Sequence, residues 1–391
     1  MAHNRVEEIL TKTIERAQKS NFRSYDISDL KRMKLLLFAN KIPVRLIRGL
    51  ITRPLTYLQK YKPNWLRPFI KGDGFVYPQG QAMFIRGQAN LIRKNHPLGD
   101  LSLCKEIADW LIENRNKEYK NYCWGQPFLW FSRKPFPPNL PRATVTSQVG
   151  WAFLDLYELT QDQQYLDVAI STCHFFIEDL NYTPDAYGNY CFSYTTIDNY
   201  HVHNASLLAA SVLSRVGKLT ANKKFIEAAT RATEFSIYHQ NEDGSWYYWA
   251  PPDKLSYKID NYHTGFNLEA LHTISTDLDR NDIKEAYKLG LEYYFTNLFD
   301  GPLPKFTNKQ KFPVDIQGCA QSIATFTLAG EINEKYYLKA KNIVEYTIDE
   351  LFVNSKNNFG FRKYSDGFLD PSYYFRWGDA WMIKSLSLQI S

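Results

Sequence analysis

The sequence predicts an all-α chain closed into a ring of helical hairpins, an (α/α)6 toroid, preceded by a basic N-terminal arm. Three observations carry this. Stretches with 3.6-residue apolar periodicity begin at Ser147, His203, His263, Gln317 and Trp377, at intervals of 56, 60, 54 and 60 residues. Between them lie second helices with a shared pattern of polar start, aromatic, aliphatic and small residue, as in ELTQDQQYLDVA (158–169), KLTANKKFIEAA (218–229) and INEKYYLKAK (332–341). Finally, the last periodic stretch, 377–390, has no helix after it to pair with.

In chain order, VEEILTKTIERAQ and DLKRMKLLLF each read as a helix, and AMFIRGQANLIRK with LSLCKEIADWLIENR forms a first hairpin over 82–118. Four further hairpins follow at the intervals above, each too long for a solenoid repeat of about 34 to 47 residues. Five hairpins and one unpaired inner helix close into a ring of six if an N-terminal helix supplies the missing outer member. The expected division is an arm over 1–73, packing on or docking the barrel, and a barrel over 74–391.

The chain has 391 residues, 44% hydrophobic and 23% charged, with 61 Trp, Tyr and Phe, enough to bury a large core. Its net charge of +6 is uneven: eleven Lys or Arg and no Asp or Glu fall between Lys31 and Lys71, leaving −5 for the remainder. That stretch interleaves its cations with Leu, Ile, Phe and Trp, which suits a peripheral membrane or synthesis-complex contact better than nucleic acid. Five scattered Cys lack disulfide or zinc spacing and read as reduced, buried thiols. MAHNRVEEIL has no apolar signal run, so a cytoplasmic location is expected, with a peripheral position at the inner membrane face if the basic stretch docks there. GxxxxGK[ST], GxGxxG, HExxH and GxSxG do not occur in a suitable context, and no motif calls for a metal or cofactor.

All inner helices of such a ring run the same way. Their N-termini, with free N–H groups and partial positive charge, meet at one end with the aromatic loops, and that end should take an anionic or hydroxyl-rich ligand. The pentapeptide IDNYH enters two of these helices, at 197–201 and 259–263, and PVDIQG enters a third. Asp198, Asp260 and Asp315, with His201, His203 and His263, therefore gather at one end. The plain alternative is that each Asp only caps a helix. Two carboxylates suit glycoside hydrolysis, one as acid and one activating water. Two imidazoles instead suit removal and return of a carbon-bound proton. FRWGDAW (375–381) adds Arg376 for a carboxylate, Trp377 and Asp379; Trp124, Trp130 and Arg133 lie in a long loop, and Trp246 in DGSWYYW. Tyr262 and Gln317 complete the candidate substrate contacts.

The segments WGQPFLWFSR, YLDVA, FSYTTID, VHNASLLAA, FSIYHQNEDGSWYY and IDNYHTGFNLEAL resemble the six-hairpin glycosidase-like proteins, in particular a group encoded with bacterial exopolysaccharide and capsule biosynthesis genes. The resemblance runs from Gly74 to the C-terminus. It implies an (α/α)6 toroid acting on carbohydrate, in a superfamily that includes unsaturated-uronyl hydrolases, polysaccharide lyases and N-acylglucosamine epimerases. No catalytic motif of those relatives is intact here, so no residue role carries over. The leading expectation is a glycoside hydrolase of polysaccharide metabolism acting on an oligo- or polysaccharide. In it Asp260 is acid or base, Asp198 or Asp315 its partner, and His263 and His203 position them. Arg376 and Arg133 bind anionic groups, and Trp124, Trp130 and Trp246 stack on sugar. The alternatives are an epimerase or lyase using His263 with His203 or a Tyr, and a non-catalytic glycan-binding or assembly protein.

Overall fold

The structure, a computed structural model, describes residues 2–27, 38, 42, 45–61, 63–66, 74–131, 135–253 and 258–390. Its helices are α1 (Ala2–Lys19), α2 (Arg45–Tyr61), α3 (Pro63–Leu66), α4 (Pro78–Arg93), α5 (Leu101–Glu113), α6 (Ala143–Thr160), α7 (Gln163–Glu178), α8 (His203–Thr220), α9 (Lys223–Tyr238), α10 (Asn261–Leu278), α11 (Asn281–Asn297), α12 (Ile316–Ala329), α13 (Glu334–Leu351) and α14 (Asp379–Ser387). Strand pairing is confined to short two-stranded ladders in the connecting loops.

The even helices α4, α6, α8, α10, α12 and α14 form an inner ring in which each packs on the next and α14 returns to pack on α4. The fold is an (α/α)6 toroid. The inner helices begin within four residues of the positions read from periodicity. The outer ring is α5, α7, α9, α11 and α13, and α1 packs against α14 in the sixth place, burying Ile9, Leu10, Ile14 and Ala17. VEEILTKTIERAQ is thus the segment in the outer ring; residues 29–37 of DLKRMKLLLF lie outside the described residues.

The repeat has a local cause. The inner helices α6, α8 and α10 each end in a residue with left-handed backbone, Gln161 (φ 58°), Ala221 (φ 53°) and Asp279 (φ 50°). That conformation turns the chain off the helix axis. The next residue then opens the outer helix, and Asp162 and Asn222 do so by accepting backbone N–H bonds from Gln164 and from Lys224 and Phe225. Ring closure needs close approach: a Cβ on Gly87 of α4 would lie 2.7 Å from Ile383 Cγ2 and 3.0 Å from the Lys384 nitrogen of α14.

A charged cluster ties the inner helices to one another across the ring. Glu269 (α10) accepts from Lys384 Nζ (α14), from Arg86 Nη2 (α4) at 3.3 Å and from Gln321 Nε2 (α12) at 2.8 Å. Arg86 Nη1 also donates to Gln148 Oε1 (α6) at 2.9 Å, so five of the six inner helices are tied across the axis. Burial raises the Glu269 carboxyl, but the two cations outweigh it and hold the group at about 2. Burial brings the Lys384 amine down to about 8. All five cysteines are buried free thiols.

Candidate functional site

The inner-helix N-termini share one end of the ring, and there Asp260 and His263 make the tightest chemical unit. Asp260 is the N-cap of α10 and accepts the His263 backbone N–H at 3.1 Å. One turn of helix brings the ring of His263 back over the same carboxylate, with Nδ1 2.8 Å from both Oδ1 and Oδ2. Lys258 Nζ is 3.3 Å from Oδ2. Burial would raise the Asp260 carboxyl, but His263 first and then Lys258 reverse this and hold it at about 2. An ionised carboxylate only accepts, so Nδ1 of His263 carries a proton toward it. The Asp260 side chain is 1% exposed and that of His263 21%. The imidazole, not the carboxylate, is therefore the group with access.

The imidazole of His263 is flanked by the rings of Tyr248 and Tyr262, with centroids 4.5 and 4.2 Å away, and Tyr262 in turn meets Trp377 at 5.8 Å. His263 lines a small cavity with His203, Asn204, Asp260 and Asn267. Asn204 and Asn267 are buried, and among the described residues the Oδ1 of each has no hydrogen-bond partner. Gln317, at the start of α12, is likewise buried, its Oε1 without a partner among the described residues. Buried polar atoms of this kind are rare unless something else satisfies them. Asn204 and Asn267 were not singled out from sequence. Asn267 could have been, since it lies four residues after His263 on one helix face.

The other entrance residues are engaged. Asp198 accepts from the backbone N–H groups of Tyr194 (3.2 Å) and Tyr200 (3.0 Å) and from the Thr195 hydroxyl; burial raises its carboxyl. The two IDNYH copies are thus not equivalent. In the second, Asp is the N-cap, whereas in the first the helix begins only at His203, with Val202 as N-cap. His201 is fixed to Asp253 Oδ2 through its backbone N–H (2.7 Å) and Nδ1 (3.1 Å). His203 is buried with Nδ1 3.1 Å from Ser236 Oγ, and burial pushes it down to about 3, so it is neutral. Asp315 caps α12 and accepts from Arg362 Nε at 2.7 Å and Trp377 Nε1 at 2.9 Å.

Several expected sugar contacts are corrected. Trp124 is fully buried, its indole N–H donating to the Leu111 carbonyl at 2.8 Å, and Trp246 is buried with its N–H on the Ser236 carbonyl at 2.8 Å. Both indoles have found backbone acceptors in the core, so neither offers a stacking face at the entrance, although Trp246 also borders the small cavity. Arg376 is buried and spends its guanidinium on Asp26 (Nε, 2.6 Å) and Gln79 (Nη1, 3.1 Å), leaving no fork for a substrate carboxylate. Asp379 is buried at the start of α14 and accepts the Phe359 N–H at 2.9 Å; burial raises its carboxyl to about 7. Tyr262 and Trp377 remain half-buried on the aromatic wall beside His263. The side chain of Trp130 and all of Arg133 lie outside the described residues. Among the described residues no group of three or more His, Cys, Asp or Glu is placed to hold a metal ion.

No protein-family model matches the chain, and no curated protein does. Solved structures do match in shape. A sugar epimerase from a ruminal bacterium aligns with TM-score 0.63 at 13% identity, covering 80% of this chain and 87% of that one. Cellobiose 2-epimerase from Bacillus thermoamylovorans aligns with TM-score 0.63 at 12% identity over 80% and 87%. A GH76 α-mannanase from Bacteroides thetaiotaomicron gives 0.62 at 10% identity over 80% and 85%. The chain has the six-hairpin toroid fold of these proteins. At such identities the likeness concerns the fold, and a fold hosts more than one chemistry.

Proposed function

We propose that the protein is a carbohydrate-processing enzyme that moves a proton on a sugar carbon, in the manner of an epimerase or isomerase, with His263 as the acid–base group. The observation that carries this is the Asp260–His263 pair: a buried, ionised carboxylate holds Nδ1–H of a partly exposed imidazole that lines a cavity with Asn204 and Asn267, whose Oδ1 atoms have no partner among the described residues. An imidazole so held can take a proton from a carbon beside a carbonyl and return it. Asp260 orients the ring and stabilises its protonated form. The unpartnered amide oxygens are acceptors, matched to sugar hydroxyls, while Tyr262 and Trp377 supply ring faces for sugar C–H groups.

This reading takes up the alternative in which His263 does the chemistry, and it reverses the leading expectation from sequence, in which Asp260 was acid or base and His263 positioned it. Hydrolysis with two carboxyl groups is less well supported, because Asp198 and Asp315 are each committed to fixed donors and Asp260 to His263. The epimerase neighbours and the α-mannanase support a sugar substrate, and the resemblance of 74–391 to polysaccharide-associated proteins supports a place in polysaccharide metabolism. Proton NMR in D₂O with a panel of neutral and acidic mono- and oligosaccharides tests it. Deuterium replacing a ring-carbon proton without cleavage is the expected result. New anomeric signals from cleavage, or new vinyl signals, would assign hydrolysis or elimination instead.

A further inference from the structure

The sequence over residues 31–71 differs in chemistry from that of the rest of the chain. Eleven cations and no carboxylate lie between Lys31 and Lys71, whereas the remaining residues carry a net −5. Within this stretch α2 is tethered to the barrel at its C-terminal end. The Tyr61 hydroxyl donates to Asp366 Oδ2 at 2.7 Å, and the Tyr61 ring meets Phe368 with centroids 4.9 Å apart.

Leu50, Arg53, Pro54 and Tyr57 follow the i, i+3, i+4, i+7 spacing of a single helix stripe, and all four are exposed. Leu50 is 70% and Tyr57 63% exposed, and Trp65 just beyond the helix is 67% exposed. A helix on the surface of a globular protein ordinarily turns its polar stripe to water. This one presents Leu50, Pro54 and Tyr57 with Arg53 among them, in a stretch whose sequence carries eleven cations, and exposed apolar patches mark interaction surfaces.

The charge selects the occupant. A second copy of the same stretch would bring like charges together, and duplex nucleic acid would satisfy the cations while leaving Leu50, Tyr57 and Trp65 in water. An anionic bilayer surface satisfies both: phosphates take the Lys and Arg, and the interfacial layer takes the apolar and aromatic side chains, where Tyr and Trp are favoured. We propose that α2 and Trp65 dock the protein on an anionic lipid surface, lying in the interfacial plane. No helix among the described residues is long and apolar enough to cross a membrane. Because the rest of the chain is net negative, the same surface repels it, so the arm sets the orientation as well as the contact.

The test is co-sedimentation of the full chain with vesicles of phosphatidylcholine alone or of equal parts phosphatidylcholine and phosphatidylglycerol, at low and high salt. The expected result is at least about tenfold stronger partition to the anionic vesicles at low salt, reversed by high salt. The double variant Leu50→Glu/Tyr57→Glu should lose about tenfold or more, with an unchanged circular dichroism melt because both residues are exposed. A Tyr187→Ser/Tyr238→Ser variant, altering an exposed aromatic pair on the barrel, should bind as wild type. Wild-type chain left in the supernatant with anionic vesicles at low salt overturns the proposal, as does undiminished binding by the Leu50/Tyr57 variant. A dimer seen by light scattering that this variant abolishes, without vesicle binding, overturns it in favour of self-association.

Discussion

Replacing Glu269 by Gln should be among the most damaging single changes available in this barrel. The carboxylate takes bonds from Lys384, Arg86 and Gln321 on three different inner helices. Arg86 retains Asp155, 3.4 Å from its Nε, but among the described residues Lys384 has no second ion pair. The Lys384 side chain is 5% exposed, so the substitution leaves an uncompensated charge in the barrel wall. Breaking a buried pair in this way costs about 3–5 kcal/mol. The loss should depend on pH with a definite sign. Burial already brings the Lys384 amine to about 8, and without Glu269 it falls further. A lysine whose folded pKa lies below its unfolded value destabilises the fold while protonated, so stability rises with pH through the folded pKa. The deficit of the variant should therefore narrow as pH is raised toward about 8. Urea unfolding followed by circular dichroism at several pH values measures it, with Glu269→Gln/Lys384→Met alongside. Removing both charges should recover most of the stability, since apolar replacement of a buried pair is often neutral or better. A Glu269→Gln variant within about 1 kcal/mol of wild type near neutral pH, or a double variant no better than the single, would refute this account of the charged cluster.

Three further substitutions test how the ring is held. Gly87→Ala should cost about 1–3 kcal/mol, because its Cβ meets Ile383 and the Lys384 backbone where α14 closes on α4; a melting temperature equal to wild type would remove the closure argument. Ala221→Gly should stabilise by about 0.5–1 kcal/mol, since position 221 has φ 53° at the end of α8, and a loss on thermal melting would contradict it. Asp379→Asn should stabilise at alkaline pH and do little near pH 4. The folded carboxyl sits at about 7, above its ordinary value, so the stability it contributes is present at low pH and is lost as pH rises through about 7. Melts across that range should show a gap of a few kcal/mol opening with pH, and a constant difference would count against it.

The ring was legible because its signals are periodic. Apolar faces recur about every sixty residues, and the unpaired helix at the C-terminus demands a partner from the N-terminus, a place that α1 occupies. The polar residues that open the outer helices, Asp162 and Asn222, are also visible as caps. The site was legible only as a neighbourhood. IDNYH marks two entrances, but the copies differ because Asp260 pairs its backbone with Thr307 and starts α10 at once, whereas His201 is held by Asp253 and delays the start of α8. Nothing local to FRWGDAW shows that Asp26, 350 residues away, occupies Arg376. Nor does an aromatic-rich loop reveal which indole finds a buried carbonyl, as Trp124 does. The Asp–His assignment was similarly hidden: i, i+3 spacing brings the two side chains together, but only burial and the bonds at Nδ1 decide which of them faces a ligand.

The central claim is that His263 carries the proton and Asp260 only holds it. The most direct measurement is the rate of deuterium exchange into a sugar that the wild-type protein binds, followed by NMR in D₂O for wild type, His263→Gln and Asp260→Asn, with binding of the same sugar measured by titration calorimetry. The account predicts that His263→Gln abolishes exchange while retaining binding, and that Asp260→Asn slows exchange by about 10²–10⁴-fold. Exchange at the wild-type rate in His263→Gln would contradict it.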